Sequence, residues 1–284
     1  MKARDQMKRQ LNIIERIAEI YAEKRIPRAS AALSYYLTMT FFPLIICLYT
    51  MLGSSYDRVV LMLDFIRGFI SAETSGYVED FLRYVAENNN KAMMFGSLAI
   101  LVTSSSAAIR SLQATIGEMQ GQQRFQGLLG FAFSIVFSLL FLAAVYFGVL
   151  VMLTGGELID LLNSYLPLID ISDSWSYLRF ILLGGIEFAV VWGVYWVSVN
   201  RDDVYPTWPG AIAPSVMLVA VSMAFSKFIG ASTKYPLVYG SLASVILLML
   251  WLYTCCIVIL CGAAYNVALR DMNRNQLQPK EDET

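Results

Sequence analysis

The sequence predicts an all-α integral membrane bundle of six transmembrane helices. Hydrophobic residues make up 57% of the 284 residues and charged residues only 15%, whereas a soluble domain carries about 25% charged residues. The apolar residues also cluster, and the stretch from Gly127 to Thr154 contains no charge at all. A helix needs about 20 mostly apolar residues to cross the hydrocarbon core of a bilayer, and several stretches meet that length.

An amphipathic helix is predicted over residues 7–26, with Pro27 ending it. Its apolar residues gather on one side at helical spacing, and they are Leu11, Ile13, Ile14, Ile17, Ala18, Ile20 and Tyr21. Such a helix either lies on the membrane surface or packs on the cytoplasmic face of the protein itself. Periodicity does not distinguish these alternatives, because lipid and protein offer the same apolar contact.

Six runs are long and apolar enough to cross the bilayer, and they cover 31–52, 92–115, 128–153, 177–199, 209–229 and 238–269. Pro43 removes a backbone hydrogen bond near the centre of the first run, so we expect a kink there. The connection 53–91 holds two half-apolar pieces, 59–70 and 77–86, which are too short and too charged to cross. We expect them to form interfacial or re-entrant helices in the first outer loop.

The predicted organisation is a cytoplasmic helix over 1–28, a six-span membrane domain over 29–270 and a cytoplasmic tail over 271–284. We expect the polar tail to be disordered from Arg270 onward. With six spans both termini share one side, and that side collects 14 of the 21 Lys and Arg residues. The loop 154–176, on the other side, has four acidic residues and no basic one. Positive charge accumulates on the cytoplasmic side, so we expect both termini to be cytoplasmic.

Glu187 is the most informative candidate for a functional residue, because it sits near the middle of the fourth span. A carboxylate at that depth must be protonated, paired or hydrated, and ionisable residues inside a membrane are functional candidates by default. Glu187 could bind a proton, a cation or a cationic group of a substrate. The alternative is a structural hydrogen bond between helices.

Further candidates for substrate or ion binding are Arg110, Tyr35, Tyr36, Tyr239 and Ser105. Arg110, in the last third of the second span, either meets an anionic headgroup or the Glu187 carboxylate, or extends to the cytoplasmic interface. Ser105 belongs to a hydroxyl-rich stretch of the same span. The tyrosines lie at span ends, where the aromatic belt is their alternative role.

Two lysines raise the same choice, since Lys227 lies near the outer end of the fifth span and Lys234 follows in the loop. Both are expected to be interface anchors, and the alternative makes them a lure for anionic substrates.

The chain contains no histidine, which excludes His-ligated zinc sites, Ser-His-Asp triads and histidine general bases. It also lacks the glycine-rich phosphate and dinucleotide loops and a basic, aromatic surface for nucleic acid. We therefore expect no enzyme, no catalytic residue, no metal and no cofactor. The expected partners are the lipid bilayer, a lipidic or small anionic substrate and a second copy of the chain, without nucleic acid.

Three motifs resemble the YihY/BrkB family of bacterial inner-membrane proteins. They are Ala31-Ala32-Leu33-Ser34-Tyr35-Tyr36 with Phe42-Pro43-Leu44, Pro209-Gly210-Ala211, and Tyr239-Gly240-Ser241-Leu242-Ala243 with Leu250-Trp251-Leu252-Tyr253. The resemblance covers roughly residues 20–270 and implies six spans, a cytoplasmic N-terminus and residence in the bacterial inner membrane. The family has carried the labels of a serum-resistance virulence factor and of ribonuclease BN, and transport or export roles have been suggested for it.

The chain departs from the family pattern late in the sixth span. Members commonly carry an acidic residue in a Gly-Ala-Glu-x-Asn pattern, and here the run is Gly262-Ala263-Ala264-Tyr265-Asn266. A mechanism that needs that carboxylate is therefore in doubt for this chain. The ribonuclease label also fits poorly, because the sequence offers neither histidine nor a cluster of acidic metal ligands.

The leading hypothesis from the sequence is a transporter or flippase-like exporter of a small or lipidic solute. The rival hypothesis is a non-transporting membrane scaffold that binds lipids or partner proteins in envelope maintenance. A cavity that reaches Glu187 favours transport, and a solidly packed bundle favours the scaffold.

Overall fold

The computed structural model describes residues 2–52, 79, 83–84, 91–121, 127–165, 175–199, 205–231 and 242–277. Within these ranges the chain forms seven α-helices. They are α1 (Lys2–Glu23), α2 (Ile26–Leu52), α3 (Lys91–Gln120), α4 (Gly127–Tyr165), α5 (Trp175–Ser198), α6 (Pro209–Ala231) and α7 (Leu242–Leu277). The expected interfacial or re-entrant helices of the first outer loop lie outside the described residues, apart from 79, 83 and 84.

The all-helical membrane bundle is confirmed. Five of the described helices, α2, α3, α4, α5 and α7, are long and apolar enough to cross a membrane by length and composition. The sixth candidate, α6, has 23 residues, and its apolar part, Pro209–Phe225, is shorter. α2 packs against α3 and α7, α6 packs against α7, and α5 contacts α3, α4 and α6.

A two-residue turn separates α1 from α2. α1 ends at Glu23, and Arg25 takes a left-handed backbone conformation with φ of 50°, as is common just past a helix end. Pro27 was expected to end α1, but it lies in the first turn of α2. Proline is tolerated there because the first backbone N–H groups of a helix have no partner inside the helix.

The apolar side of α1 divides into a buried and an exposed stripe. Ile13 and Ile20 are 9% and 1% exposed, and Ile17 packs against the same core. Leu11 and Ile14 are 59% and 63% exposed. One stripe therefore packs on the protein itself, as the second alternative proposed, and the other stripe is left uncovered by the described residues.

A shared carboxylate fastens α1 to the end of α7. Asp271 accepts hydrogen bonds from Arg16 at 3.0 Å and from Arg270 at 3.0 Å. Hydrogen bonds to Glu19 and to Asp271, in that order, raise the pKa of Arg16 above its usual value. The expected disorder from Arg270 onward is wrong for residues 270–277, which continue α7 as a helix. Contact with α1 stabilises this polar turn, which the sequence alone gave no reason to order.

The densest part of the bundle is the crossing of α6 and α7. At Gly210 an added Cβ would overlap the side chain of Asn266, and at Gly262 it would overlap Pro214, the Gly210 carbonyl and the Tyr195 hydroxyl. Asn266 Oδ1 accepts from the Gly210 N–H at 2.9 Å, and its Nδ2 donates to the Thr207 carbonyl at 2.8 Å. The amide of α7 thus caps the first turn of α6, where backbone N–H groups need a partner.

The crossing predicts the effect of a methyl group at Gly262. Gly262→Ala should lower the free energy of unfolding by about 1–3 kcal/mol, because the neighbours are a proline ring, a backbone carbonyl and a buried hydroxyl that have little room to move. Gly96→Ala is the matched control, since nothing lies within 4 Å of its Cβ position and alanine favours a helix. Unfolding midpoints in detergent measure both, and equal midpoints would contradict the crossing.

The Asp271 cluster predicts how firmly α1 is held. Asp271→Asn should weaken the docking of α1, because it leaves the mostly buried Arg270 and the Arg16 guanidinium without their shared anion. The measurement is the rate of limited trypsin cleavage after Lys24 or Arg25 in the detergent-solubilised chain, which should rise several-fold. Glu23→Gln is the control, because it breaks only an exposed pair with Lys24. A similar rise in that control would count against the cluster.

Candidate functional site

One cavity of about 800 Å³ lies among α2, α3, α4, α5, α6 and α7. Its volume is near the upper end of the range for small-molecule sites, which is about 300–1,000 Å³. The wall is mostly Leu, Val, Ile, Phe and Met side chains, and its polar members are Ser105, Glu187, Ser222, Lys227 and Cys255. Such a wall suits an apolar molecule that carries a small number of polar groups.

The cavity is closed at one end by the apolar core. Tyr195 donates a hydrogen bond to the Ile259 carbonyl and lies beside Gly262, so α5, α6 and α7 meet at this level. Val194 and Ile259 line the cavity directly next to the junction. Beyond it, towards the first residues of α1 and the last of α7, the core cluster packs Ile20, Ile26 and Val267 together.

Glu187 faces this cavity near the middle of the bundle. It lies eight residues before Tyr195 on α5, which places it about 12 Å along the cavity from the closed end at helical rise. Its side chain is partly buried, and Cys255 of α7 lies close enough to interact with it electrostatically. Within the described part of the chain Glu187 forms neither a hydrogen bond nor an ion pair.

Lys227 lines the same cavity further from the closed end. It follows Pro214, which belongs to the crossing, by 13 residues on α6, or about 20 Å at helical rise. Glu187 and Lys227 are therefore separated by about 8 Å in depth at helical rise. Lys227 was expected from the sequence to be an interface anchor, whereas the structure brings it to the cavity that contains Glu187.

Ser105 connects the cavity to the contact between α3 and α4. Its hydroxyl donates to the Leu101 carbonyl at 2.6 Å and pairs with the Ser138 hydroxyl of α4. Four residues earlier on α4, Ser134 accepts a hydrogen bond from Arg110 at 3.1 Å. The side chains of this stretch thus join α3 to α4 by direct hydrogen bonds, which need no bridging water inside the membrane.

Arg110 does not line the cavity. Its guanidinium lies 5.1 Å from the Phe131 ring centroid, which adds a cation–π contact to the hydrogen bond with Ser134. No carboxylate of the described residues pairs with it, so the alternative in which Arg110 meets Glu187 is absent from this conformation. Arg110 and Glu187 therefore occupy separate places in the bundle.

Tyr35 and Tyr36 also lie away from the cavity. Tyr35 is 50% exposed, and its ring meets the Tyr36 ring edge-on at a centroid distance of 5.7 Å. Tyr36 packs against the core cluster. Tyr239 lies outside the described residues. Of the six residues chosen from the sequence, Glu187 and Ser105 line the cavity.

Comparison with known proteins identifies the family to which this chain belongs. The sequence model of the family described as Virulence factor BrkB matches residues 17–284. The chain belongs to the BrkB virulence-factor family. A ribonuclease-like protein of Bacillus subtilis, YfkH, is 25% identical over 249 residues, which cover 84% of this chain and 88% of the relative. A UPF0761 membrane protein of Actinobacillus pleuropneumoniae is 22% identical over 258 residues, covering 87% of this chain and 90% of the relative. No solved structure matches.

Two of the BrkB-like motifs meet at the helix crossing. Pro209-Gly210-Ala211 opens α6, and the run from Gly262 to Asn266 on α7 receives it. Ala264, where the resemblance implies an acidic residue, is fully buried among apolar side chains. An ionised carboxylate at that place would lack compensation from its apolar neighbours, so alanine suits the packing observed in this BrkB-family chain.

Helical spacing contained part of the signal for the cavity residues that sequence reasoning missed. On α6 the positions 219, 223 and 227 recur every four residues, and on α7 the positions 251, 255 and 259 do the same. This period marks one face of each helix. Which faces turn towards each other is decided by tertiary packing, and α6 shows little contrast between its faces because lipid and protein interior are both apolar.

The cavity predicts that its wall tolerates larger side chains than the core does. Val190→Phe should leave the unfolding midpoint in detergent nearly unchanged, because Val190 borders empty space. Val267→Phe, the same substitution at a 1% exposed core residue, should lower the free energy of unfolding by about 1–3 kcal/mol through overpacking. Equal losses in the two variants would show that the cavity is filled by the chain itself.

Proposed function

We propose that this BrkB-family membrane protein is a transporter or flippase-like exporter of a lipidic solute. The observation that supports the proposal is the cavity, which is enclosed by faces of six helices and is lined by Glu187. The cavity wall is almost wholly apolar, which suits hydrocarbon chains better than a small hydrophilic anion. The solute is therefore lipidic in this proposal, and the small anionic alternative loses support.

The closed end of the cavity gives the proposal a mechanism. A transporter exposes its site to one side at a time, and rigid-body movement of one bundle against another does this around a fixed site. The packing of α5, α6 and α7 around Tyr195, Gly210 and Gly262 is the closed side in this conformation. Ser30, fully buried at this end, has no hydrogen-bond partner among the described residues, and opening would give it one.

Glu187 is the proposed coupling or substrate residue. A carboxylate in an apolar cavity is stable when it is protonated or faces a positive group. Glu187 has neither an arginine nor a lysine paired with it in the described structure. Glu187 is therefore placed to bind a proton or a cationic group. Ser105 is another polar residue of the same cavity wall.

The location in the proposal is the bacterial inner membrane, with both termini in the cytoplasm. The distribution of Lys and Arg, 14 on the terminal side and 7 on the other, supports this orientation. In it the closed end of the cavity faces the cytoplasm. We propose no nuclease activity, since the chain has no histidine.

The second candidate is a scaffold that binds lipids or partner proteins without moving them. The observation that favours it is the exposed stripe of α1, with Leu11 and Ile14, on a helix that Asp271 fastens to α7. In that case the cavity holds a resident lipid and its closed end does not open.

Reconstituted protein distinguishes the two candidates. We predict that the parent chain moves fluorescent phospholipids between the leaflets of proteoliposomes. The measurement is the loss of their fluorescence when a membrane-impermeant quencher is added outside. Glu187→Gln should lower the initial rate about tenfold, because one contact to a charged group is worth about 1.5 kcal/mol. Glu118→Gln removes an exposed carboxylate at the end of α3 and is the control.

A rate for the parent chain equal to that of protein-free liposomes would reject transport of these lipids. Equal rates for the parent and Glu187→Gln would remove Glu187 from the mechanism.

A further inference from the structure

Two ionisable side chains of opposite sign, the partly buried Glu187 and the exposed Lys227, line the same cavity, and neither is paired among the described residues. Neither forms an ion pair or a hydrogen bond within the described residues, including with each other. Arg110, the other charge described inside the bundle, lies outside the cavity against Ser134 and Phe131.

The charges constrain what the cavity can hold. An ionised group in an apolar environment is costly unless an opposite charge accompanies it. A ligand with only a negative group pairs with Lys227 and leaves Glu187 to be neutralised by a proton, and a ligand with only a positive group pairs with Glu187 and leaves Lys227 without an anion. A ligand that carries one charge of each sign matches both and leaves the filled cavity neutral.

The positions of the two residues set the direction of such a ligand. Glu187 lies deeper, and Lys227 lies about 8 Å further from the closed end at helical rise. The lysine ammonium sits on a flexible four-carbon stem, which shortens the distance the ligand must span. The remaining wall, with Leu37, Phe141, Leu218 and Met223 among its members, offers contact for hydrocarbon chains.

We propose that the cavity binds a zwitterionic phospholipid whose headgroup carries a primary amine. The ammonium donates hydrogen bonds to Glu187, the phosphate accepts from Lys227, and the acyl chains lie against the apolar wall. This inference rests on the proposed function of the cavity and names the class of molecule that it takes. A choline headgroup is a poorer ligand because its nitrogen carries no N–H donor.

Trp251 provides a signal for binding, because it lines the cavity. The full-length chain in detergent is titrated with phosphatidylethanolamine, phosphatidylcholine or phosphatidylglycerol that share the same brominated chains, which quench tryptophan fluorescence on contact. The exposed Trp192, Trp196 and Trp208 report surrounding lipid. Trp251→Phe gives that background, and the difference between the two titrations isolates the cavity.

The parent chain should bind phosphatidylethanolamine about tenfold more tightly than phosphatidylglycerol, with phosphatidylcholine between them. Glu187→Gln should abolish the preference for the amine headgroup and improve phosphatidylglycerol relative to the other two. Lys227→Gln should weaken the binding of all three lipids together, because each carries the phosphate that Lys227 contacts. Both substitutions keep side-chain size nearly constant, and if either variant fails to fold, the order of the three lipids on the parent chain still decides.

Equal binding of the three headgroups, or a preference for phosphatidylglycerol, would overturn the inference. So would a Glu187→Gln variant that changes all three affinities by the same factor. The result is separable from the proposed function, because quenching reports binding whether or not lipid crosses the bilayer. Selective binding without movement between leaflets would support this ligand class and reject transport.

Discussion

The contact on which the structure depends is the approach of α6 to α7 at Gly210 and Gly262. A side chain at either position would overlap its neighbours, so the two helices touch backbone to backbone. In a membrane there is no hydrophobic gain from bringing apolar helices together, and close packing of small residues supplies the attraction instead. Asn266 adds two hydrogen bonds that satisfy the open end of α6.

The crossing also decides where the cavity lies. It draws α5, α6 and α7 together at one level through Tyr195, and further along the helices the same elements leave about 800 Å³ between them. A bundle that packed tightly over its whole length would have no room for a ligand. Tight packing at one end and open space at the other is the arrangement that a site exposed to one side of a membrane needs.

Three sets of polar groups among the described residues of the bundle have different physical roles. Asn266 and Tyr195 hold helices together and are satisfied. Ser105, Ser138 and Ser134 join α3 to α4 by hydroxyl contacts, and Arg110 adds to them. Glu187 and Lys227 face the cavity without partners in the described structure. Only the last kind leaves charge available for a ligand, which is why the proposed function centres on it.

The sequence by itself determined the membrane bundle, the position of its apolar helices and the presence of a carboxylate, Glu187, within one of them. Each follows from a local property, because the length of an uncharged run and a charge within it are read from adjacent residues. The resemblance to the BrkB family likewise rested on short motifs. The end of α7 was the exception, since the helix through residue 277 depends on the contact of Asp271 with Arg16.

Tertiary structure alone decided which helix faces meet. It brought Lys227 beside the cavity of Glu187, set Arg110 apart from it, and divided the apolar side of α1 into buried and exposed stripes. The physical reason is that lipid-facing and protein-facing surfaces are equally apolar in a membrane protein. The pattern of hydrophobic residues therefore fixes the helices but does not fix their rotation, which small residues and hydrogen bonds between distant segments determine.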